Sequence, residues 1–249
     1  TQYSYLNTQY LLKMERTLTY CDLGLIDYKE AWDLQKEILK LRYEKKITDI
    51  LFLLEHPHTY TLGKTADKNN LISTEVYLKE NKISVYDIDR GGDITYHGPG
   101  QIVGYPIINL NEWIKDTHKF LRALEEVLIE TCESYGIAAG RNSKYTGVWI
   151  NNRKIAAIGI KISRWITMHG FAFNVNTNLD FFKGIIPCGI SDKDVTSLQK
   201  ELNREIDIKS AKEIILKNFM NIFGYNRLRE LDKEELIKSE LVAANKGLT

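Results

Sequence analysis

The spacing of apolar residues switches between the period of a helix and that of a strand several times along this chain. Ala31, Leu34, Ile38 and Leu41 recur at three- and four-residue steps behind Asp27, and predict a helix over Asp27–Lys45 with Asp27 as its N-cap. The run ILFLL within Asp49–Glu55, bounded by charges and Pro57, predicts a buried strand, and Thr59–Leu62 a second that ends at Gly63. Thr17–Leu23 and Ile83–Ile88 also read as strands, as does Ile102–Leu110, broken by Gly104 and Pro106. The clearest helical stripe is Phe120, Leu121, Leu124, Leu128 and Ile129, which predicts a helix over Ile114–Tyr135 closed by Gly136. Gly147–Ile150 and Lys154–Ile162 form a predicted hairpin over Asn151-Asn152, since Asn tolerates positive φ. Phe171–Val175 alternates like a strand, and two helices follow, over Ile208–Phe223 and the charge-dense Leu231–Ala244.

Strands and helices mixed without a regular βαβ alternation place the chain in the α+β or mixed α/β class. With no internal repeat and no linker-like change in composition, one domain is expected over residues 17–225, after an extension over 1–16 and before a charged helical appendage over 226–249. Residues 1–13 lack the apolar centre of a secretory signal, and Met14 is the expected natural start.

Composition narrows the function. The 249 residues are 43% hydrophobic and 27% charged with a formal charge of +1, which excludes a disordered chain and offers no electrostatic footprint for nucleic acid. The longest apolar runs, Ile50–Leu54 and Ile155–Ile160, are far short of the roughly 20 residues that cross a bilayer, so no membrane role is expected. Cys21, Cys132 and Cys188 stand at no metal-ligand spacing, which leaves no disulfide scaffold, no cysteine zinc site and no expected metal or cofactor; three free thiols fit the cytoplasm.

Two segments concentrate chemistry. Between Gly91 and Gly104 lie five of the sixteen glycines, preceded by Arg90 and interleaved with Tyr96 and His97. Glycine at that density lets backbone approach a ligand, and the neighbouring cation, hydroxyl and imidazole turn a bland β-turn into a ligand-binding loop, Arg90–Gln101. Neither a GxxxxGK[ST] nor a GxGxxG spacing is present, so it is not an ordinary phosphate loop. The second segment is Pro187-Cys188-Gly189, a cysteine on a stiff turn, whereas Cys21 and Cys132 have the apolar neighbours of structural thiols. A nucleophilic cysteine needs a partner that holds it as thiolate, and His97, His169 and Lys154 are all candidates that composition does not separate. His56 and His58, flanking Pro57, are expected as turn or pocket-rim residues.

The runs RGGDITYHGPGQIVGYPIINL, TGVWINNRKIAAIGIK, HGFAFNV and PCGISDKDVTSL, with CDLGLIDYKEAWDLQ and LEHPHTYTLG before them, resemble the lipoyl(octanoyl) transferase family over about residues 18 to 224. The resemblance implies a mixed β-sheet flanked by helices, as in the catalytic domains of biotin and lipoate protein ligases. It implies a cysteine–lysine dyad, Cys188 and Lys154, and substrate contacts at Arg90, Gly91, Gly92, Asp93, Ile94, Thr95, Tyr96 and His97, at Ala157, Ile158 and Gly159, and at Gly170, Phe171 and Ala172. It also implies transfer of an octanoyl group from acyl carrier protein, without ATP. The acceptors would be a lysine of the lipoyl domains of 2-oxoacid dehydrogenase complexes and of the glycine cleavage H protein. The sequence departs at Asp93, where the family often has Gln, which puts a carboxylate at the pocket. An ATP-dependent ligase on the same fold and a non-catalytic acyl-binding protein are the rival readings. Lipoate ligases tend to follow their glycine-rich turn with His-Asp, where this chain has His97-Gly98-Pro99-Gly100-Gln101.

Overall fold

Strand β2 (Asp49–Glu55) is buried at every residue but its last, because it runs through the interior of a sheet with neighbours on both sides. This arrangement is seen in a computed structural model that describes residues 15–186, 194–236 and 238. The partners of β2 are β1 (Thr17–Leu25), parallel to it, and β6 (Gln101–Ile107), antiparallel. Beyond β6 the sheet continues antiparallel through β10 (Ile166–Asn174), β9 (Arg153–Ser163), β8 (Val148–Ile150) and β7 (Gly140–Arg141). Two further strands join in parallel: β11 (Asp194–Val195) on β9, and β12 (Arg227–Glu230) on the outer edge of β1. A smaller sheet orders β4 (Ser84–Asp87), β3 (Thr59–Leu62) and β5 (Ile94–His97).

The larger sheet is covered on both faces. Helix α1 (Tyr28–Tyr43) packs Ala31, Ile38 and Leu41 against Phe52, Val103 and Ala172. Its start is fixed by Asp27, whose carboxylate accepts from the amides of Lys29 (2.8 Å) and Glu30 (3.3 Å). A short helix, α2 (Glu75–Glu80), precedes β4. On the opposite face lie α3 (Thr117–Ser134) and α5 (Ile208–Phe223), with the short α4 (Leu198–Leu202) before α5. Phe120, Leu124, Val127 and Leu128 of α3 are fully buried, and each such side chain contributes about 1.5–3 kcal/mol of transfer free energy. Helix α3 starts at Thr117 rather than Ile114 because the Asp116 carboxylate caps it through His118 N and Lys119 N. Of the helix expected over Leu231–Ala244, α6 (Lys233–Leu236) is present, and residues beyond 238 lie outside the described ones.

Strand β6 runs through Gly104 and Pro106 without a break. Proline cannot donate to the ladder, but its carbonyl still accepts, from the Thr167 hydroxyl (2.7 Å), which in turn accepts from Ile108 N (2.9 Å). The hairpin over Asn151-Asn152 forms as the pattern predicts, with Asn151 at φ 54°.

Candidate active site

Three strands of the larger sheet, the smaller sheet and the Arg90–Asp93 loop enclose a cavity of about 380 Å³, at the lower end of the usual range for small-molecule pockets. Its floor is built in rows. Val103, Ala172 and Ala157, from β6, β10 and β9, follow from the pairings Val103↔Ala172 and Ala172↔Ala157. Toward one end come Gln101 and Asn174, a polar pair, with Lys154 on β9; toward the other come Tyr105, Gly170 and Gly159. From Gln101 to Tyr105 the strand advances about 13 Å, four residues at about 3.3 Å each. Small side chains line the middle of the floor.

Lys154 faces this cavity because of a β-bulge. Val148 pairs with Ala156 but Trp149 pairs with Lys154, so Ile155 is an extra residue on β9. Ile155 and Ala156 therefore both enter the core under α3, while Lys154 and Ala157 both line the cavity. Without the bulge the alternation of the strand would send Lys154 into the core. The Lys154 ammonium stands 4.8 Å from the centroid of the Trp149 ring. Its backbone carbonyl accepts from Thr196 N (3.0 Å), next to the β11–β9 pairing of Asp194 with Arg153 and Val195 with Lys154.

The Arg90–Asp93 loop forms the roof. Gly91 N donates to Ile160 O (2.9 Å), and a Cβ on Gly159 would stand 2.9 Å from Arg90 Cδ, so glycine is needed there for the loop to close on the sheet. Arg90 Nη2 donates to the carbonyl and the hydroxyl of Thr61, both at 2.9 Å. Asp89 anchors the loop from beneath, accepting from Lys161 Nζ and from His169 Nε2 (2.9 Å). These donors hold the Asp89 carboxyl well below the usual carboxylate range, the His169 bond first. His169 is itself held at φ 59° within β10, with its amide donating to Gln35 Oε1 (2.9 Å), and burial lowers its pKa.

Hydrogen bonds fix the protonation of the other histidines. Gln101 Nε2 donates to Tyr96 O (3.1 Å) and Asn174 Oδ1 (2.9 Å), so its Oε1 accepts from His97 Nδ1–H (2.9 Å). His97 Nε2 is left as an acceptor toward the Thr61 hydroxyl at 3.4 Å, and burial pushes the ring's pKa well below its ordinary value. His97 thus belongs to the support of Arg90. His56 donates from Nδ1 to Ile26 O (2.8 Å) and accepts at Nε2 from the Tyr105 hydroxyl (2.7 Å). Of the expected turn or pocket-rim placement, His56 has the first, in the connection from β2 to β3, and is fully buried behind Tyr105 rather than at the rim; His58 is half-buried and stacks on Phe181 at 4.1 Å.

The binding residues expected from sequence come together here: Arg90 to Thr95, His97, Ala157 to Gly159 and Gly170 to Ala172 all line the cavity. Tyr96 does not. Strand alternation turns it into the core of the smaller sheet, where its hydroxyl meets His58 Nδ1 at 2.8 Å. Asp93, the departure from the family pattern, lies on the rim with its carboxylate accepting from Asn70 Nδ2 (2.8 Å) and Ile94 N (2.7 Å). Cys188 lies outside the described residues. Before residues 187–193, Ile186 N donates to Asn70 O (2.8 Å), whose side chain meets Asp93 on the rim; after them, β11 pairs with Arg153 and Lys154. Tyr28, Tyr105 and Lys144–Thr146 also line the cavity; they come from separate segments that no local motif joins.

A cavity of this shape beneath a glycine-rich loop, on a mixed sheet flanked by helices, defines an acyl-handling domain of the lipoate ligase type. The profile of the lipoyl protein ligase A/B catalytic domain matches residues 27–220, and the chain belongs to that family. The octanoyltransferase of Cytophaga hutchinsonii is 46% identical over 221 residues, covering 81% of this chain and 91% of the relative. That of Rubrobacter xylanophilus is 50% identical over 203 residues, covering 81% and 91%. A lipoate-protein ligase A crystallised with ATP shares the fold, with a TM-score of 0.72 at 16% identity over 94% of this chain and 95% of that one. Within the family this chain is an acyltransferase of the octanoyl-transferring branch.

Proposed function

We propose that the chain moves an octanoyl group from acyl carrier protein to a specific lysine of lipoyl domains, by way of a thioester on Cys188. The acceptors are the lipoyl domains of 2-oxoacid dehydrogenase complexes and the glycine cleavage H protein, and the compartment is the cytoplasm. No helix among the described residues is long and apolar enough to cross a membrane. The observation that carries the reading is the bulge that turns Lys154 into the cavity, beside its small apolar floor and on the strand that the chain joins after the cysteine segment.

An unperturbed thiol with pKa about 8.5 is only about 3% ionised at pH 7, so an adjacent ammonium is needed to make the thiolate the main species. The Cys188 thiolate attacks the thioester carbonyl, the C–S bond to the pantetheine arm breaks, and the departing sulfur takes the Lys154 proton. A neutral lysine amine of the lipoyl domain then attacks the acyl-enzyme and an amide forms. Its excess proton passes to Lys154, and Cys188 leaves as thiolate. Thioester to amide is downhill, so ATP has no part. The methylenes of the octanoyl chain, at about 0.8 kcal/mol each when buried, supply the binding along the Val103–Ala172–Ala157 row.

Incubation with octanoyl-acyl carrier protein followed by intact mass measurement tests this. A single octanoyl adduct is expected, absent from Cys188→Ala, and it should transfer to a lipoyl domain without nucleotide. An adduct that persists in Cys188→Ala, or turnover that needs free octanoate and MgATP, would overturn the reading.

A further inference from the structure

We propose that Trp149 is a positioning residue for Lys154, its indole face holding the ammonium at the cavity wall. The inference rests on the reading that Lys154 serves Cys188. Trp149 and Lys154 are cross-strand partners at the bulge, and the ammonium stands 4.8 Å from the ring centroid. Trp149 is 4% exposed, so the indole side of the contact is shielded from water while Lys154 is half-buried at the cavity.

The ring is also braced from behind. Its Nε1–H donates to Tyr145 O at 3.3 Å, and the Tyr145 ring lies 6.2 Å away. The loop that carries Tyr145 is clamped by the fully buried Glu125, which accepts from Gly147 N at 3.1 Å and pairs with Arg122 and Arg141. An aromatic face has a particular merit beside a thiolate. A carboxylate in its place would hold the ammonium equally well but would cancel its charge and repel the sulfur. The π face attracts the cation without itself carrying a neutralising charge.

The test uses the full chain with Trp149→Leu, Trp149→Phe and Trp149→Tyr, and with singly to triply fluorinated tryptophan placed at position 149, which weakens the π face while keeping its shape. Two quantities are read: kcat and KM for an octanoyl thioester, and the pH midpoint of iodoacetamide alkylation at Cys188, followed on its peptide. Burial pushes the thiols of Cys21 and Cys132 up to about 12, so they stay silent. Leucine should lower kcat about tenfold with KM changed less than twofold, and raise the alkylation midpoint; phenylalanine and tyrosine should restore most of the loss. Each added fluorine should slow acylation further, a result that loss of folding cannot produce. Unchanged rates across the fluorinated series, or leucine equal to phenylalanine, would make Trp149 packing only and overturn the proposal. Lys154→Ala separates the two layers. If it leaves kcat and midpoint at wild-type values, the reading of Lys154 fails and the Trp149 proposal falls with it. If it abolishes both while fluorination is silent, Trp149 alone is excluded.

Discussion

Arg90 lies directly over Gly159: a Cβ at that position would stand 2.9 Å from Arg90 Cδ and 2.9 Å from Gly91 O. The roof of the cavity therefore rests on the floor at one residue that has no side chain. Gly159→Ala should lift the Arg90–Asp93 loop, lowering kcat/KM for the octanoyl thioester at least tenfold while costing about 1–3 kcal/mol of stability as an overpacked contact. Steady-state kinetics beside a thermal melt check both. An alanine variant with native kinetics would show that the loop does not need this contact.

The Gln101 amide joins His97 to Asn174 inside the protein, with both residues nearly inaccessible to water. Gln101→Leu strips a donor from Asn174 Oδ1 and from Tyr96 O and an acceptor from His97 Nδ1–H, so three buried polar atoms each lose a partner. The expected loss is about 2–4 kcal/mol in urea denaturation, at about 1–3 kcal/mol per orphaned group. A loss below about 1 kcal/mol would mean that water replaces the amide.

Much of this site could be read from the chain because its parts are local. The Arg90–Gln101 loop, the β9 run after Lys154 and the Gly170–Ala172 strand are each continuous, and strand periodicity puts their residues on one sheet. Tyr96 departs from that rule: a loop motif suggests that every member faces the ligand, whereas Tyr96 lies on strand β5 and packs into the core of the smaller sheet. The bulge at Ile155 has no signature in the sequence, since it follows from the pairing of β9 with β8 rather than from its own residues. The roles of Tyr105 and Asp89, and the burial of His56, are not legible for a related reason. Their contacts span 49 and 80 residues, and nothing in their immediate neighbours announces them.

Glu125 is fully buried on α3, while its partners Arg122 and Arg141 are 54% and 36% exposed at the side chain. The carboxylate is thus the costly member of the cluster. Glu125→Ala leaves the buried Gly147 N unpaired and a void beneath the loop, and should cost about 1–3 kcal/mol. Arg122→Ala, which removes one exposed partner of two, should cost less than about 1 kcal/mol. Chemical denaturation of the two variants tests the asymmetry; equal losses would show that the arginines, rather than the carboxylate, order this loop.

The stability of the protein should fall as the pH drops from about 6.5 toward 4, before most carboxylates titrate. His56 is fully buried and burial pushes its pKa down to about 4; His97, 5.7 Å away between ring centroids, is shifted in the same direction. In the unfolded chain both rings titrate near 6.5. Between these values the unfolded state binds protons that the native state does not, so unfolding is favoured as protons are added and stability rises with pH. For His56 alone the difference amounts to about 3 kcal/mol once the pH reaches 4, at 1.36 kcal/mol per pKa unit. Asp89, held low by His169 and Lys161, adds a loss of the same sign at still lower pH. Urea midpoints at pH 7.5, 6.0, 5.0 and 4.5 should therefore decline steadily, and His56→Phe should flatten the decline even where it lowers stability overall. Equal midpoints at pH 7.5 and 5.0 would show that these rings take up protons without leaving the fold, against the hydrogen bonds that hold His56 between Ile26 O and the Tyr105 hydroxyl.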